Sequence, residues 1–298
     1  MGAVSRDPGS WLARLAGGEV PASVALMHIA AAAESAGAVE AALAGAADRA
    51  EGAGRERIAE ALAVWRASPQ AWGTVQAVLG GIDHGLSGED GTDVVAALAR
   101  AFDRAAQISP EGSVALYALG NADLLRAATQ EIVARLDAWG LLGPGRRVVD
   151  LGCGIGRIAA ALAPRVAQVV GLDIAPAMIA AARARCAGLP NVAFHLGTGR
   201  DLAPVATGSA DLLLAVDCLP YLVQAGEAVL RGYVREAARV LRPRGDFVIL
   251  NFSYRGDLAR DRRDAARLSR EHGFALKRDG TADFATWDGR SFHLRRLG

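Results

Sequence analysis

The sequence predicts an α/β protein in which a doubly wound, mostly parallel sheet of seven strands follows an all-helical N-terminal module. Three observations carry that expectation. From Arg146 onward, short β-branched or apolar runs alternate with amphipathic windows, the pattern of a parallel sheet covered on both faces. Before Gly140, by contrast, apolar side chains recur at helical spacing and no β-branched run interrupts them. Between these regions, a strand ending in Asp150 turns through closely spaced glycines into a helix, as a ligand-binding strand–turn–helix unit does.

In chain order, residues 21–50 and 55–79 read as helical, the second through Ile58, Leu62, Val64 and Trp65, with breakers at Gly52, Gly54 and Pro69. The small, polar and acidic stretch 86–92 reads as a linker or long turn. A second helical block, 93–142, has two N-terminal signals, Ser109-Pro110-Glu111 and Asn121 with Asp123 in the first turn, and stops at Gly140 and Gly143-Pro144-Gly145. Strands are expected at 147–151, 166–172, 192–196, 211–216 and 246–252, with helices at 157–163, 176–186, 226–241 and 257–273. Runs at 274–278 and 290–294 flank a turn-rich segment, Asp279-Gly280-Thr281-Ala282, and read as a closing pair of strands. The expected units are a helical module at 1–88, a helical cap at 92–145 and a ligand-binding domain at 146–298.

Composition narrows the function classes. With 33 Lys+Arg against 32 Asp+Glu, the net charge of +1 creates no field that draws in a phosphate backbone, so no nucleic-acid partner is expected. A chain 52% hydrophobic and 22% charged is not disordered as its main state. Cys153, Cys186 and Cys218 form neither a CxxC pair nor a disulfide framework, which points to a reducing cytoplasm. The N-terminus lacks the pattern of a secretion signal, and the apolar stretch 22–33 contains His28 and falls short of the ~20 residues that span a bilayer, so no membrane segment is expected. His28, His84, His195, His272 and His293 show no ligand spacing, so no metal is expected. Trp11, Trp65 and Trp72 read as anchors of helix packing.

The chemistry concentrates in Val148-Val149-Asp150-Leu151-Gly152-Cys153-Gly154-Ile155-Gly156-Arg157. Glycines here let backbone approach a ligand, and the helix that follows offers free N–H groups. The spacing is GxGxG; a dinucleotide fingerprint would need glycine where Arg157 stands, and no Gly-Lys-Ser/Thr follows for a phosphate loop. A second strand ends in Asp173, placed to accept hydrogen bonds from both hydroxyls of a ribose lying over the loop. Ile174 and Met178 supply apolar surface for an adenine face.

Taken with Gly197-Thr198-Gly199-Arg200-Asp201-Leu202, Ala210-Asp211-Leu212-Leu213-Leu214 and Val240-Leu241-Arg242-Pro243-Arg244-Gly245, these motifs resemble the class I S-adenosylmethionine-dependent methyltransferases, in their bacterial small-molecule branch. The resemblance covers residues 146–298 and keeps the family's motif order. It implies S-adenosyl-L-methionine as cofactor, with Gly152, Cys153, Gly154 and Gly156 against its methionine and ribose parts. It further implies that Asp150 reaches the amino group and Asp173 the ribose. Gly197-Thr198-Gly199 stands where relatives carry Gly-Asp-Ala, so the Thr198 hydroxyl replaces an acid at the adenine amino group. Tyr117 lies in the segment that folds over the cofactor in such enzymes.

The fourth strand exits as Val216-Asp217-Cys218-Leu219-Pro220-Tyr221, beside the topological switch where ligands bind. Val216 is expected near the cofactor, and Asp217 and Tyr221 as the groups that orient or deprotonate an acceptor. Asn251, Ser253 and Tyr254 line the opposite wall, so Tyr221, Asn251 and Tyr254 form the expected acceptor contacts. Asp217 also reads as a strand-end cap, Tyr221 as packing under the helical cap, and Cys153 and Cys218 as small buried side chains rather than nucleophiles. The expected partner is a small-molecule acceptor, with its O, N, S or C atom unspecified. Two alternatives stand beside methyl transfer: the same cofactor used for cyclisation or aminopropyl-type transfer, and a non-catalytic role in which the helical module mediates homodimerisation or partner binding.

Overall fold

The structure, a computed structural model, describes residues 7–81 and 91–298; most of the expected linker at 86–92 lies outside them, as does His84. Five helices come first: α1 (Pro8–Gly17), α2 (Ala22–Ala32), α3 (Ala36–Arg49), α4 (Gly52–Arg66) and α5 (Ala71–Gly81). The 21–50 window splits in two because the backbone turns extended at Ala33 and Ser35 caps α3, its hydroxyl accepting from the Ala38 N–H at 3.1 Å. Gly52 and Gly54, expected as breakers, instead sit in the first turn of α4. A Cβ on Gly54 would lie 3.3 Å from the Ala16 carbonyl, so glycine here serves the close packing of α4 on α1.

The second block is α6 (Gly91–Ile108), α7 (Pro110–Val114), a 3₁₀ turn at Leu116–Ala118 and α8 (Ala122–Ala138). Both expected caps form: Ser109 Oγ accepts from the Gly112 N–H at 3.0 Å, and Asn121 Oδ1 from the Asp123 and Leu124 N–H groups at 2.9 and 3.2 Å. The remaining helices are α9 (Arg157–Leu162), α10 (Pro176–Arg185), α11 (Leu219–Gln224), α12 (Glu227–Val240) and α13 (Leu258–Glu271). Of these, α11 was not expected from the sequence.

All seven expected strands are present as β1 (Gly143–Leu151), β2 (Val166–Asp173), β3 (Val192–Leu196), β4 (Ala210–Val216), β5 (Leu241–Leu250), β6 (Phe274–Ala282) and β7 (Arg290–Arg296). They lie in the order β3-β2-β1-β4-β5-β7-β6, with β1 to β5 parallel and β7 antiparallel to both neighbours. The stretch 279–282, expected as a turn, is the end of β6, where a shift in register against β7 between Asp279 and Thr281 accommodates Gly280. His195 lies exposed on the edge strand β3.

Successive side chains of a strand point to opposite faces, which divides the central core in two. Val148, Leu212, Leu214, Val248 and Leu250 pack with α8, α9 and α10, while Val149, Leu151, Leu213, Phe247 and Ile249 pack with α12 and α13. A third core inside the N-terminal helices holds Trp11, Leu15, Leu26, Ile29, Leu43, Ile58 and Trp65, together with Leu119 from beyond the module. Met27 and Leu124 touch both this core and the one beneath the sheet, so apolar packing runs unbroken between them. Among the described residues, no helix is long and apolar enough to cross a membrane.

Candidate active site

Strand register assembles the site. Leu151 pairs with Leu172, so the glycine loop leaves β1 level with Asp173 at the end of β2, and Gly152 and Cys153 both donate to the Leu172 carbonyl. On the other side of the switch point Val216 pairs with Leu250, which brings Asp217 opposite Asn251. The glycines at 152 and 154 are required twice over. Their φ values are +69° and +50°, and a Cβ would meet Cys218 Sγ at 2.5 Å and Val114 Cγ1 at 2.5 Å respectively.

A cavity of about 800 Å³ opens over this loop and continues to the N-terminal helices. At one end, Asp173 is held by backbone: Oδ2 accepts from the Gly154 N–H at 2.9 Å and Oδ1 from the Ala175 N–H at 3.0 Å. Burial nonetheless raises its pKa, against those hydrogen bonds. Asp150 is fully buried and one of its oxygens has no partner. Burial pushes its pKa up to about 7, opposed by the Arg157 guanidinium and reinforced by Asp173. A buried carboxyl with an orphaned oxygen is a site for a cationic or hydrogen-bond-donating group. This end is closed by α6, whose Val95, Leu98 and Phe102 border the cavity with Ile174 and Met178; a Cβ on Gly199 would collide with Val95.

At the other end, Asp217 and Asn251 both take left-handed backbone conformations, φ +54° and +72°, and Asn251 Nδ2 donates to Asp217 Oδ1 at 2.7 Å. Asp and Asn are the non-glycine residues that tolerate this region best, and two such residues in contact mark a site that the surrounding fold over-determines. Burial raises the Asp217 pKa, although Asn251 and Tyr254 both donate to it. The Tyr221 ring meets Tyr254 edge-on at 5.6 Å and Phe102 at 4.8 Å, and burial followed by the Asp217 charge holds its hydroxyl un-ionised. Tyr117 stacks on Trp287 at 5.7 Å, and burial pushes its pKa up to about 12.

Of the residues singled out from sequence, Tyr117, Asp150, Gly152, Cys153, Gly154, Asp173, Ile174, Met178, Gly199, Val216, Asp217, Tyr221, Asn251 and Tyr254 border this one cavity. Gly156 and Thr198 do not. Gly156 turns away beneath α10, where a Cβ would lie 3.0 Å from that of Ala182, and the exposed Thr198 hydroxyl pairs with Asp201 and the Arg200 N–H. Sequence reasoning missed the α6 face, Arg157 as a wall residue, and the far wall of Trp11, His28, Trp287 and Asp288. The apolar period of α6 was visible, but nothing local says what its face covers.

Cys153 and Cys218 have pKa values raised by burial, which favours the thiol and fits their reading as packing residues. No group of His, Cys, Asp and Glu suited to a metal occurs among the described residues.

Residues 149–249 match the methyltransferase domain family. That stretch is a methyltransferase domain, and the chain is similar to class I S-adenosylmethionine-dependent methyltransferases. That domain is similar to the demethylmenaquinone methyltransferases of Tropheryma whipplei, 34% identical over 161 residues that make up 53% of this chain and 60% of theirs. It is also similar to the ubiquinone biosynthesis O-methyltransferase of Xanthomonas oryzae, 35% identical over 117 residues, 38% of this chain and 44% of that enzyme. The matched region thus spans less than two thirds of these relatives. In fold, the methyltransferase domain and its helices resemble the magnesium protoporphyrin IX methyltransferase of Synechocystis, solved with bound S-adenosylmethionine: TM-score 0.50, 23% identity, covering 72% of this chain and all of that one. Phosphoethanolamine N-methyltransferase 1 of Haemonchus contortus gives a TM-score of 0.53 at 16% identity, covering 71% and 50% of the two chains.

Proposed function

We propose that this protein transfers the methyl group of S-adenosylmethionine to a small-molecule acceptor by in-line displacement. The observation that carries the reading is the single cavity joining the Asp150–Asp173 glycine loop to the Asp217–Tyr221–Asn251–Tyr254 cluster. The relatives named for demethylmenaquinone and ubiquinone biosynthesis support a small organic acceptor.

The residues present fit the cofactor. The orphaned oxygen of Asp150 suits its amino group, the anchored carboxylate of Asp173 its ribose hydroxyls, and the α6 face its adenine. When bound, the cofactor supplies a methyl group on a sulfonium, a good leaving group that asks little chemistry of the protein. What the chain does is hold the acceptor in line and keep water out, the contribution that positioning makes to any displacement. Tyr221 and Tyr254 form the wall that orients the acceptor. Asp217, held by Asn251, takes the proton of an acceptor hydroxyl or amine, and its raised pKa increases its basicity.

Calorimetric titration with S-adenosylhomocysteine, with NAD as control, tests the cofactor. Micromolar binding of the former alone is expected. Replacing Asp173 removes two charge-assisted hydrogen bonds, so Asp173→Ala is expected to weaken binding about a hundredfold. Undiminished affinity in that variant would sink the site assignment. Products are read by mass: a gain of about 14 Da on the acceptor is methyl transfer, a larger gain favours aminopropyl transfer, and conversion with no change of mass favours cyclisation.

A further inference from the structure

Two polar groups deep in the cavity wall are left over by the scheme above. Trp287, 3% exposed, has an indole N–H with no acceptor, and Tyr117, 8% exposed, has a hydroxyl with no partner in hydrogen-bond geometry. Their rings stack at 5.7 Å with 20° between planes, so the two groups belong to one patch. A buried donor without a partner forfeits its hydration with no return, which is why native proteins leave few of them outside binding sites. An indole N–H can only donate, so whatever completes this patch brings an acceptor atom.

The patch sits on the acceptor side of the cavity. Trp287 is carried by the β6–β7 connection, which returns beside Asn251: the Asn251 N–H donates to the Arg290 carbonyl at 2.8 Å. That connection is clamped, with Glu131 of α8 accepting from the Ala285 N–H at 2.7 Å, the Thr286 N–H at 2.9 Å and the Thr286 hydroxyl at 2.6 Å. Ser23 of α2 also donates to the Thr286 carbonyl at 3.1 Å. The charges that reach the Tyr117 hydroxyl are the Arg157 guanidinium at the start of α9, followed by the carboxylates of Asp217 and Asp288.

The remaining walls of this end are flat rings. Phe102, Tyr221 and Tyr254 form an edge-to-face series, and elsewhere on the cavity lining Trp11 stacks on His28 at 3.8 Å with 9° between planes. Burial, with Arg14 adding to it, pushes the His28 pKa down to about 4, so its ring is neutral, while the Arg14 guanidinium lies over the Trp11 ring at 4.4 Å. Val24 and Met27 of α2 also line the cavity.

We infer that the acceptor is a planar aromatic molecule carrying a hydrogen-bond-accepting oxygen, that Tyr117 and Trp287 donate to this oxygen, and that the N-terminal helices add to its aromatic surroundings through the stacked Trp11 and His28. The inference deepens the methyl-transfer reading and rests on it for the role of the cavity. It makes the helical module a specificity element, since two of the stacking rings come from α1 and α2.

The test uses the full chain and two probes that differ by one oxygen, 2-naphthol and naphthalene. Their affinities are measured by equilibrium dialysis with and without saturating S-adenosylhomocysteine. The wild type is expected to hold 2-naphthol about tenfold more tightly than naphthalene, the worth of two modest hydrogen bonds less the desolvation of the phenol. Trp287→Phe keeps the ring and removes the donor, and Tyr117→Phe does the same for the hydroxyl; each is expected to cut that preference about threefold. Trp287→Phe is also expected to leave S-adenosylhomocysteine affinity unchanged. A wild-type preference near one overturns the inference, as does a preference that survives both substitutions. Weakened S-adenosylhomocysteine binding in Trp287→Phe overturns it too, because the donor then serves the cofactor. If the wild type binds no S-adenosylhomocysteine, the methyl-transfer reading falls, and the naphthol preference measured without it still decides the aromatic subsite.

Discussion

Asp150 and Asp217 show how one physical effect, loss of hydration, serves two different purposes. Asp150 has a buried, unpartnered oxygen and a pKa pushed up to about 7, so it is substantially protonated near neutral pH until a donor arrives. A cationic amino group binds the ionised form, and binding therefore releases a proton. Below pH 7, affinity for S-adenosylhomocysteine is expected to fall toward tenfold per pH unit, by the linkage between protonation and binding. Asp150→Asn should bind weakly at all pH values and flatten that slope; a slope retained in the variant would assign the titration elsewhere. The same shift has a sign for stability. A carboxyl whose folded pKa is raised stabilises the fold at low pH and loses that contribution as pH rises through about 7. Asp217 is also raised by burial but is held by Asn251 and Tyr254. Its value as a base appears in the rate: turnover should rise with pH through its raised pKa, and Asp217→Asn should remove that limb and slow turnover about 10²–10⁴-fold. An unchanged pH–rate profile in the variant would demote Asp217 to a strand-end cap.

Among the elements, the β1–α9 loop and the α7 helix that packs over it form a tight fit. Val114 closes on Gly154 so nearly that one added methyl carbon would sit 2.5 Å from Cγ1, at a φ of +50° that an L side chain resists. Gly154→Ala is therefore expected to lose stability by about 1–3 kcal/mol and to abolish cofactor binding, since Gly154 also donates to Asp173. Val114→Ala added to it relieves the clash but not the backbone strain. Full recovery of both properties in the double variant would show that the clash alone was at fault. Much of this element was legible in advance, because glycine spacing and strand-ending acids are local facts. The α6 lid was only half legible: the apolar positions Val94, Val95 and Leu98 mark a buried face, but that it covers Ile174 and Gly199 depends on where the chain returns.

At the scale of the whole molecule, the helical module and the sheet domain share their packing. Leu119 lies in the module's core, Val24 of α2 lies in the core beneath the sheet, and Met27 and Leu124 touch both. Shared apolar contacts couple folding units, so differential scanning calorimetry is expected to show one unfolding transition. Leu26→Ala, at a site with no exposure, should cost about 2–5 kcal/mol and lower that transition as a whole. Two well-separated transitions, with only one moved by Leu26→Ala, would establish the module as an independent unit.

By itself the sequence determined the sheet, most of its helices and the gathering of Asp150, the glycine loop and Asp173 at one end of the cavity. Alternation of period two, helical period, caps such as Ser109 and Asn121, and the register of Asp150 and Asp173 around the glycine loop are all written in neighbouring residues. Tertiary structure decided the rest. That Gly156 packs under α10 instead of facing a ligand, that Thr198 turns to Asp201, and that Asn251 meets Asp217 are results of which strands pair and which faces must be covered. The far wall follows the same rule. Trp11, His28 and Trp287 come from segments more than 250 residues apart, brought together because the apolar faces of the N-terminal helices had to leave water and the sheet's carboxyl edge was the surface available to cover.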